Sequence, residues 1–108
     1  MQVLDCLELW WQSTRSALES AGVTGRFERS PEGRLNPSCS LNLRRNELEG
    51  DLVAWESGEA ELAVMEADGS ITQTHIDDVR DPGNLEATLS RLVAAVALPL
   101  PGLGSQVT

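Results

Sequence analysis

Carboxylates two residues apart recur through the middle of this sequence, as Glu47 and Glu49 and again as Glu59 and Glu61. On an extended strand, alternate residues share a face, so each pair would set two carboxylates side by side. Paired carboxylates can serve acid–base chemistry or hold a hard cation. Glycosidase-like work would also need a deep cleft lined with aromatics, and the chain has only three tryptophans and one phenylalanine. The single histidine, His75, stands beside Thr74 on a strand pattern, and as a general base it would need a nucleophile or substrate pocket nearby. None is implied. Cys6 falls on a helical pattern and Cys39 on a strand pattern, without CxxC spacing, which fits two free thiols in a reducing compartment. No glycine-rich phosphate loop, GxSxG elbow, HExxH or metal-spaced Cys/His set is present. These residues predict a chain that is not an enzyme and uses neither cofactor nor metal.

As a surface, the same carboxylates read differently. Ten acidic residues and no lysine or arginine lie between Asn46 and Val79. The whole chain has a net charge of −9, and all eight of its basic residues are arginine. That balance argues against nucleic acid and anionic membranes as direct partners, since both need cationic side chains. Acidity also serves solubility, but gathered on one sheet face it suits a basic protein partner. The candidate contact residues are Glu47, Glu49, Asp51, Glu56, Glu59, Glu61, Glu66 and Asp68, with Trp55 or Trp11 as the aromatic anchor.

The elements that must position these residues follow from apolar spacing. From about Gln2 to Ala21, Val3, Leu4, Leu7, Trp10, Trp11, Thr14, Ala17, Leu18 and Ala21 recur at helical intervals, and Gly22 stands where a helix would end. Val23 to Arg29 alternates weakly around Phe27 as an edge strand. Ser38 to Arg45 alternates cleanly, with Cys39, Leu41 and Leu43 inward. Strands follow over Leu48–Trp55, Glu59–Glu66 and Ser70–Ile76, with turns at Ser57-Gly58 and Asp68-Gly69. Asp81-Pro82 opens a second helix, with Asn84 as an alternative cap; Leu85, Leu89, Leu92, Val93 and Val96 form its stripe.

Register decides which side chains face out. A two-residue loop at Ser57-Gly58 sets Trp55 opposite Ala60 and Val53 opposite Leu62, with Val64 joining them in the core. A three-residue loop sets Trp55 opposite Glu59 and brings Ala54 and Leu62 inward instead. The two-residue loop is favoured because it gives one continuous apolar layer.

The expected architecture is α+β: an N-terminal helix, an antiparallel meander of four or five strands, and a C-terminal helix, with both helices on one sheet face. Residues 1–98 form one domain and 99–108, rich in proline and glycine, a disordered tail. A hydrophobic fraction of 41% and a charged fraction of 23% suit a globular domain. Neither a signal peptide nor an apolar run of about twenty residues is present, so a cytoplasmic protein is expected. Monomer and homodimer both stay open, because Trp10 and Trp11 leave room for a helix-mediated pair.

Three stretches carry a family resemblance: PSCSLNL, then GDLVAWESGEAELAVMEADGS, then THIDDV leading into NLEATLSRLVAAV. Together with the opening LELWW helix they resemble the TriTu family of bacterial immunity proteins. In that pattern a glycine opens a strand ending in a Val-x-Trp or Val-Trp step, followed by a Gly-bearing turn, an acidic–apolar alternating strand and a late Leu-rich helix. Gly50, Val53, Trp55, Ser57 and Gly58 hold those positions here, with Ala54 between the valine and tryptophan. The resemblance implies an antidote that binds the C-terminal domain of a secreted or contact-delivered toxin. It further implies a basic, nuclease-like toxin attacking tRNA, in some cases with elongation factor Tu joining through the toxin. A cytosolic secretion chaperone is the alternative class, since those proteins are also small and acidic.

Overall fold

The computed structural model describes residues 2–66 and 68–96. The chain runs α1 (Val3–Ser20), β1 (Thr24–Arg29), β2 (Ser38–Arg45), β3 (Leu48–Trp55), β4 (Ala60–Met65), β5 (Ile71–Ile76) and α2 (Pro82–Ala94). The five strands form one antiparallel sheet in sequential order, β1-β2-β3-β4-β5. The expected α+β meander is therefore present in full. The tail expected over 99–108 lies outside the described residues.

Helix α1 buries Val3, Leu4, Leu7, Trp11, Thr14 and Leu18. Trp10 is half-buried at the margin of the core, and Ala17 and Ala21, expected on the stripe, are exposed. Gly22 (φ +90°) closes the helix. Its N–H donates to Glu19 O at 3.0 Å, and the Val23 N–H donates to Leu18 O at 2.9 Å. Val23 and Leu18 are both buried, which completes the apolar contact of a Schellman end. At the start of α2, Asp81 Oδ2 accepts from the Asn84 N–H at 2.9 Å, with Pro82 in the first turn. Asp81 is thus the cap, while Asn84 Nδ2 donates to the Asp78 carbonyl at 2.9 Å.

Both helices cover one sheet face. Cys39, Leu41 and Leu43 of β2, Leu52 and Ala54 of β3, and Ala60 and Leu62 of β4 are buried there with Leu89, Leu92, Val93 and Val96. The packing is close enough to need small residues. A side chain on Gly50 would stand 2.9 Å from Leu92 Cδ1 and 3.0 Å from Ala95 Cβ.

The favoured register of the β3–β4 hairpin is overturned. Ala54 pairs with Ala60, Val53 with Glu61 and Leu52 with Leu62. The Trp55 N–H donates to Glu59 O at 2.9 Å and the Gly58 N–H to Trp55 O at 2.8 Å, so the loop has three residues. Turn chemistry explains this. A two-residue type I′ loop needs positive φ at both Ser57 and Gly58, whereas only Gly58 (φ +110°) has it. One left-handed glycine after a type I turn is the signature of the three-residue loop. A shift of one residue moves every side chain to the other face. Val53 and Trp55 therefore leave the core, and the smaller Ala54 and Ala60, both fully buried, occupy the layer under the helices.

Candidate functional site: the open face of the sheet

The face away from the helices is built by the alternate residues of each strand. On β3 these are Glu49, Asp51, Val53 and Trp55, all half-buried. On β4 they are Glu61, Ala63 and Met65, with exposed Glu59 leading in beside Trp55. On β5 they are Ile71, Gln73 and His75. Val53 and Trp55 thus form an apolar strip on β3, with Glu61 and Glu59 across from them on β4, Asp51 and Glu49 further along β3, and Ser40 and Ser38 on the β2 side.

Asn42 of β2 fixes the acids at one end. Its Nδ2 donates to Glu49 Oε2 at 2.8 Å and lies 3.4 Å from Asp51 Oδ1. A surface depression of about 450 Å³ opens here, lined by Thr24, Arg26, Glu28, Asn42, Arg44, Glu49 and Asp51 among others. Charge is mixed on this side: Arg26 stands 3.9 Å from Glu28, and Arg44 is paired across the ladder with Glu49. Among the described open-face positions of β3, β4 and β5 the one cationic side chain is His75; Arg80, paired with Asp78 at 2.8 Å, stands near Gly58 at the end of the β3–β4 loop. His75 Nδ1 lies 2.6 Å from Glu61 Oε2 and its Nε2 3.2 Å from Asp77 Oδ1. The bond to Glu61 holds the imidazole above its ordinary value, with the charges of Asp77 and Glu59 adding to the effect. In its imidazolium form His75 donates to Glu61 and sets a positive charge beside Asp77, a local counter-charge within the acidic face.

Of the acidic candidates, the structure brings Glu49, Asp51, Glu59 and Glu61 together with Trp55 on this face. The others fall elsewhere. Glu47 sits in the β2–β3 turn, and Glu56 in the β3–β4 loop, where its N–H donates to Pro37 O at 2.8 Å. Glu66 lies toward α2, in a depression with Leu48, Val64, Thr72 and Arg91. Asp68 is occupied within its own turn, accepting from the Ser70 N–H at 2.9 Å and hydroxyl at 2.7 Å, bonds that also lower its pKa. Trp11 is buried, its ring against Gly25 and 5.7 Å from the Arg15 guanidinium, so it cannot serve as a surface anchor. The clean alternation of β2 already turned Asn42 outward, whereas sequence reasoning put Val53 in the core and gave His75 no place on this face; both follow once Trp55 points outward and Glu61 pairs with His75.

Both cysteines are free thiols. Cys39 is buried in the core, and burial pushes its pKa to about 11. Among the described residues, no group of three or more His, Cys, Asp or Glu side chains is placed to hold a metal ion. No helix among them is long and apolar enough to cross a membrane.

A single meandering sheet, armoured by two helices on one side and acidic on the other, defines a small α+β domain with a broad exposed face. Residues 5–95 match the family described as Immunity protein TriTu, and the chain belongs to that family. No curated protein and no solved structure matches it. The family is one of immunity proteins, and membership implies the role of such proteins, neutralisation of a toxin, with a cognate toxin as binding partner.

Proposed function

We propose that this immunity protein neutralises a basic, nuclease-like toxin domain by seating it on the open face, with Trp55 as anchor. The observation that carries this reading is the uncovered strip of Val53 and Trp55 flanked by Glu49, Asp51, Glu59 and Glu61. A nuclease presents arginines and lysines to phosphate, and an acidic face can fill the same cleft. Complementary potentials speed association, which an antidote needs, while the half-buried indole supplies contact area. Blockade of this kind asks no catalysis of the immunity protein. A tRNA-attacking toxin fits the family, and elongation factor Tu then joins through the toxin while the complex forms in the cytosol. The strands succeed one another without an intervening helix, which sets the chain apart from secretion chaperones that dimerise through such a helix.

Co-expression tests the reading: the cognate toxin domain is produced with wild-type protein or with Glu49→Lys/Asp51→Lys, and survival is scored. Loss of protection by a folded variant is expected. Full protection by the variant would remove the open face from the mechanism.

A further inference from the structure

The two edges of the sheet are built differently. At β1, Arg29 donates to Asp5 Oδ1 at 2.7 Å and Glu8 Oε1 at 2.9 Å, tying the strand to α1, and Arg26 and Glu28 add charge. Charged side chains and a covering helix are the usual protections of a free strand. β5, with the sequence ITQTHI, has no lysine, arginine or proline, and its six residues pair with β4 without a bulge. α2 reaches it through Arg91 Nη2 on Thr74 Oγ1 at 2.9 Å, a contact on the helix face, and among the described residues nothing bonds to the outer backbone edge of β5.

The phase of the ladder says which backbone groups are free. Antiparallel pairs alternate between those that exchange hydrogen bonds and those that do not. The Glu66 N–H donates to Ser70 O at 2.8 Å and the Trp55 N–H to Glu59 O at 2.9 Å. Counting from both turns, Ala60, Leu62 and Val64 bond to Ile76, Thr74 and Thr72. The N–H and C=O groups of Ile71, Gln73 and His75 therefore point away from the sheet, a row of donors and acceptors spanning about 14 Å. Beside that row, on the open face, stand Glu59, Glu61 and Asp77 around His75. A second copy of the chain would bring its own carboxylates against these; a cationic strand would not.

We propose that β5 receives an extended, arginine- or lysine-bearing segment of the toxin domain as an additional strand, continuing the open face across the interface. This rests on the reading that the open face binds a basic toxin. Main-chain bonds to Ile71, Gln73 and His75 give the register, and the alternate cationic side chains of the added strand reach Glu61 and Asp77.

Amide hydrogen exchange and affinity, measured with the cognate toxin domain, test it. The amides of Ile71, Gln73 and His75 are expected to exchange more slowly in the complex than in the free chain. Gln73→Pro deletes an N–H that β4 does not use, and proline is tolerated on a free edge. It is expected to bind about tenfold or more weakly than Gln73→Ala, which keeps the N–H. Should Gln73→Pro fail to fold, exchange in the wild-type complex decides alone. Unchanged exchange at the three amides, or equal binding by the two variants, overturns the added strand. In that event a loss of affinity in Glu49→Lys/Asp51→Lys still upholds the open face, and its absence removes both. Slow exchange at these amides in a free chain that sediments as a dimer gives the edge to a second copy and also overturns the proposal.

Discussion

Replacing Gly50 by alanine probes how closely α2 rides on the sheet. The added Cβ would meet Leu92 Cδ1 at 2.9 Å, Ala95 Cβ at 3.0 Å and the Leu92 carbonyl oxygen at 3.3 Å. Carbon atoms settle at about 3.5–4.0 Å, so the overlap with the first two is roughly 0.5–1 Å. Leu92 Cδ1 ends a flexible side chain, but that side chain is fully buried, and the other two atoms are fixed to the helix. The helix itself must shift, and overpacking of this kind costs about 1–3 kcal/mol. For a domain of this size each kcal/mol lowers the melting temperature by about 4–8 °C. Gly50→Ala should therefore melt several degrees or more below the wild type by circular dichroism. Leu92→Ala alone should cost about 2–5 kcal/mol by emptying core volume. In the double variant the new methyl enters that volume, so the combined loss should be smaller than the sum by at least about 0.5 kcal/mol. A melting point unchanged by Gly50→Ala, or strict additivity in the double variant, would refute this packing.

His75 should titrate above its ordinary value of 6.5 in an NMR experiment, and as the only histidine it gives one unambiguous imidazole signal. Glu61→Gln removes the largest cause and should bring the midpoint down; an unmoved midpoint would contradict the pairing. Because the folded value is raised, the stability from this contact is complete below about pH 6.5 and is lost as pH rises through the folded value. Cys39 should resist a thiol reagent in the native state of a Cys6→Ser variant and react on unfolding, given its burial and a pKa of about 11. Prompt native reaction at pH 8 would place β2 the other way up.

Most of the scaffold was legible because each element is marked twice, by apolar spacing and by a terminator. Helix α1 is marked by its stripe and Gly22, and helix α2 by its stripe and the Asp81-Pro82 start. The β3–β4 register was not, and the reason lies in the residues. Val53 and Trp55 exceed Ala54 in size, yet Ala54 and Ala60 are the residues that lie fully buried under the helices, beside Leu52 and Leu62. The turn held the answer, since one positive-φ glycine suits a three-residue loop. The charge of the central segment was legible, but its division was less so. Glu66 differs from Glu59 and Glu61 in strand parity, which counting could have shown, whereas the seat of His75 between Glu61 and Asp77 depends on pairing across strands. Asp68 was lost to its own turn, a habit of aspartate before glycine.

The most direct test of the account compares two charge reversals of equal size. Glu49→Lys/Asp51→Lys changes the open face, and Glu19→Lys/Glu86→Lys changes the helix layer by the same four charge units, as each Glu- or Asp-to-Lys step adds two. Affinity for the cognate toxin domain is measured by calorimetry at low and moderate salt. Close interfacial charge pairs couple by about 1.5–7 kcal/mol, so the open-face variant should bind at least about tenfold more weakly, with a flatter salt dependence. The helix-layer variant should stay within a few-fold of wild type. Equal losses in the two variants, or a greater loss from the helix layer, would contradict the open face as the seat of the toxin.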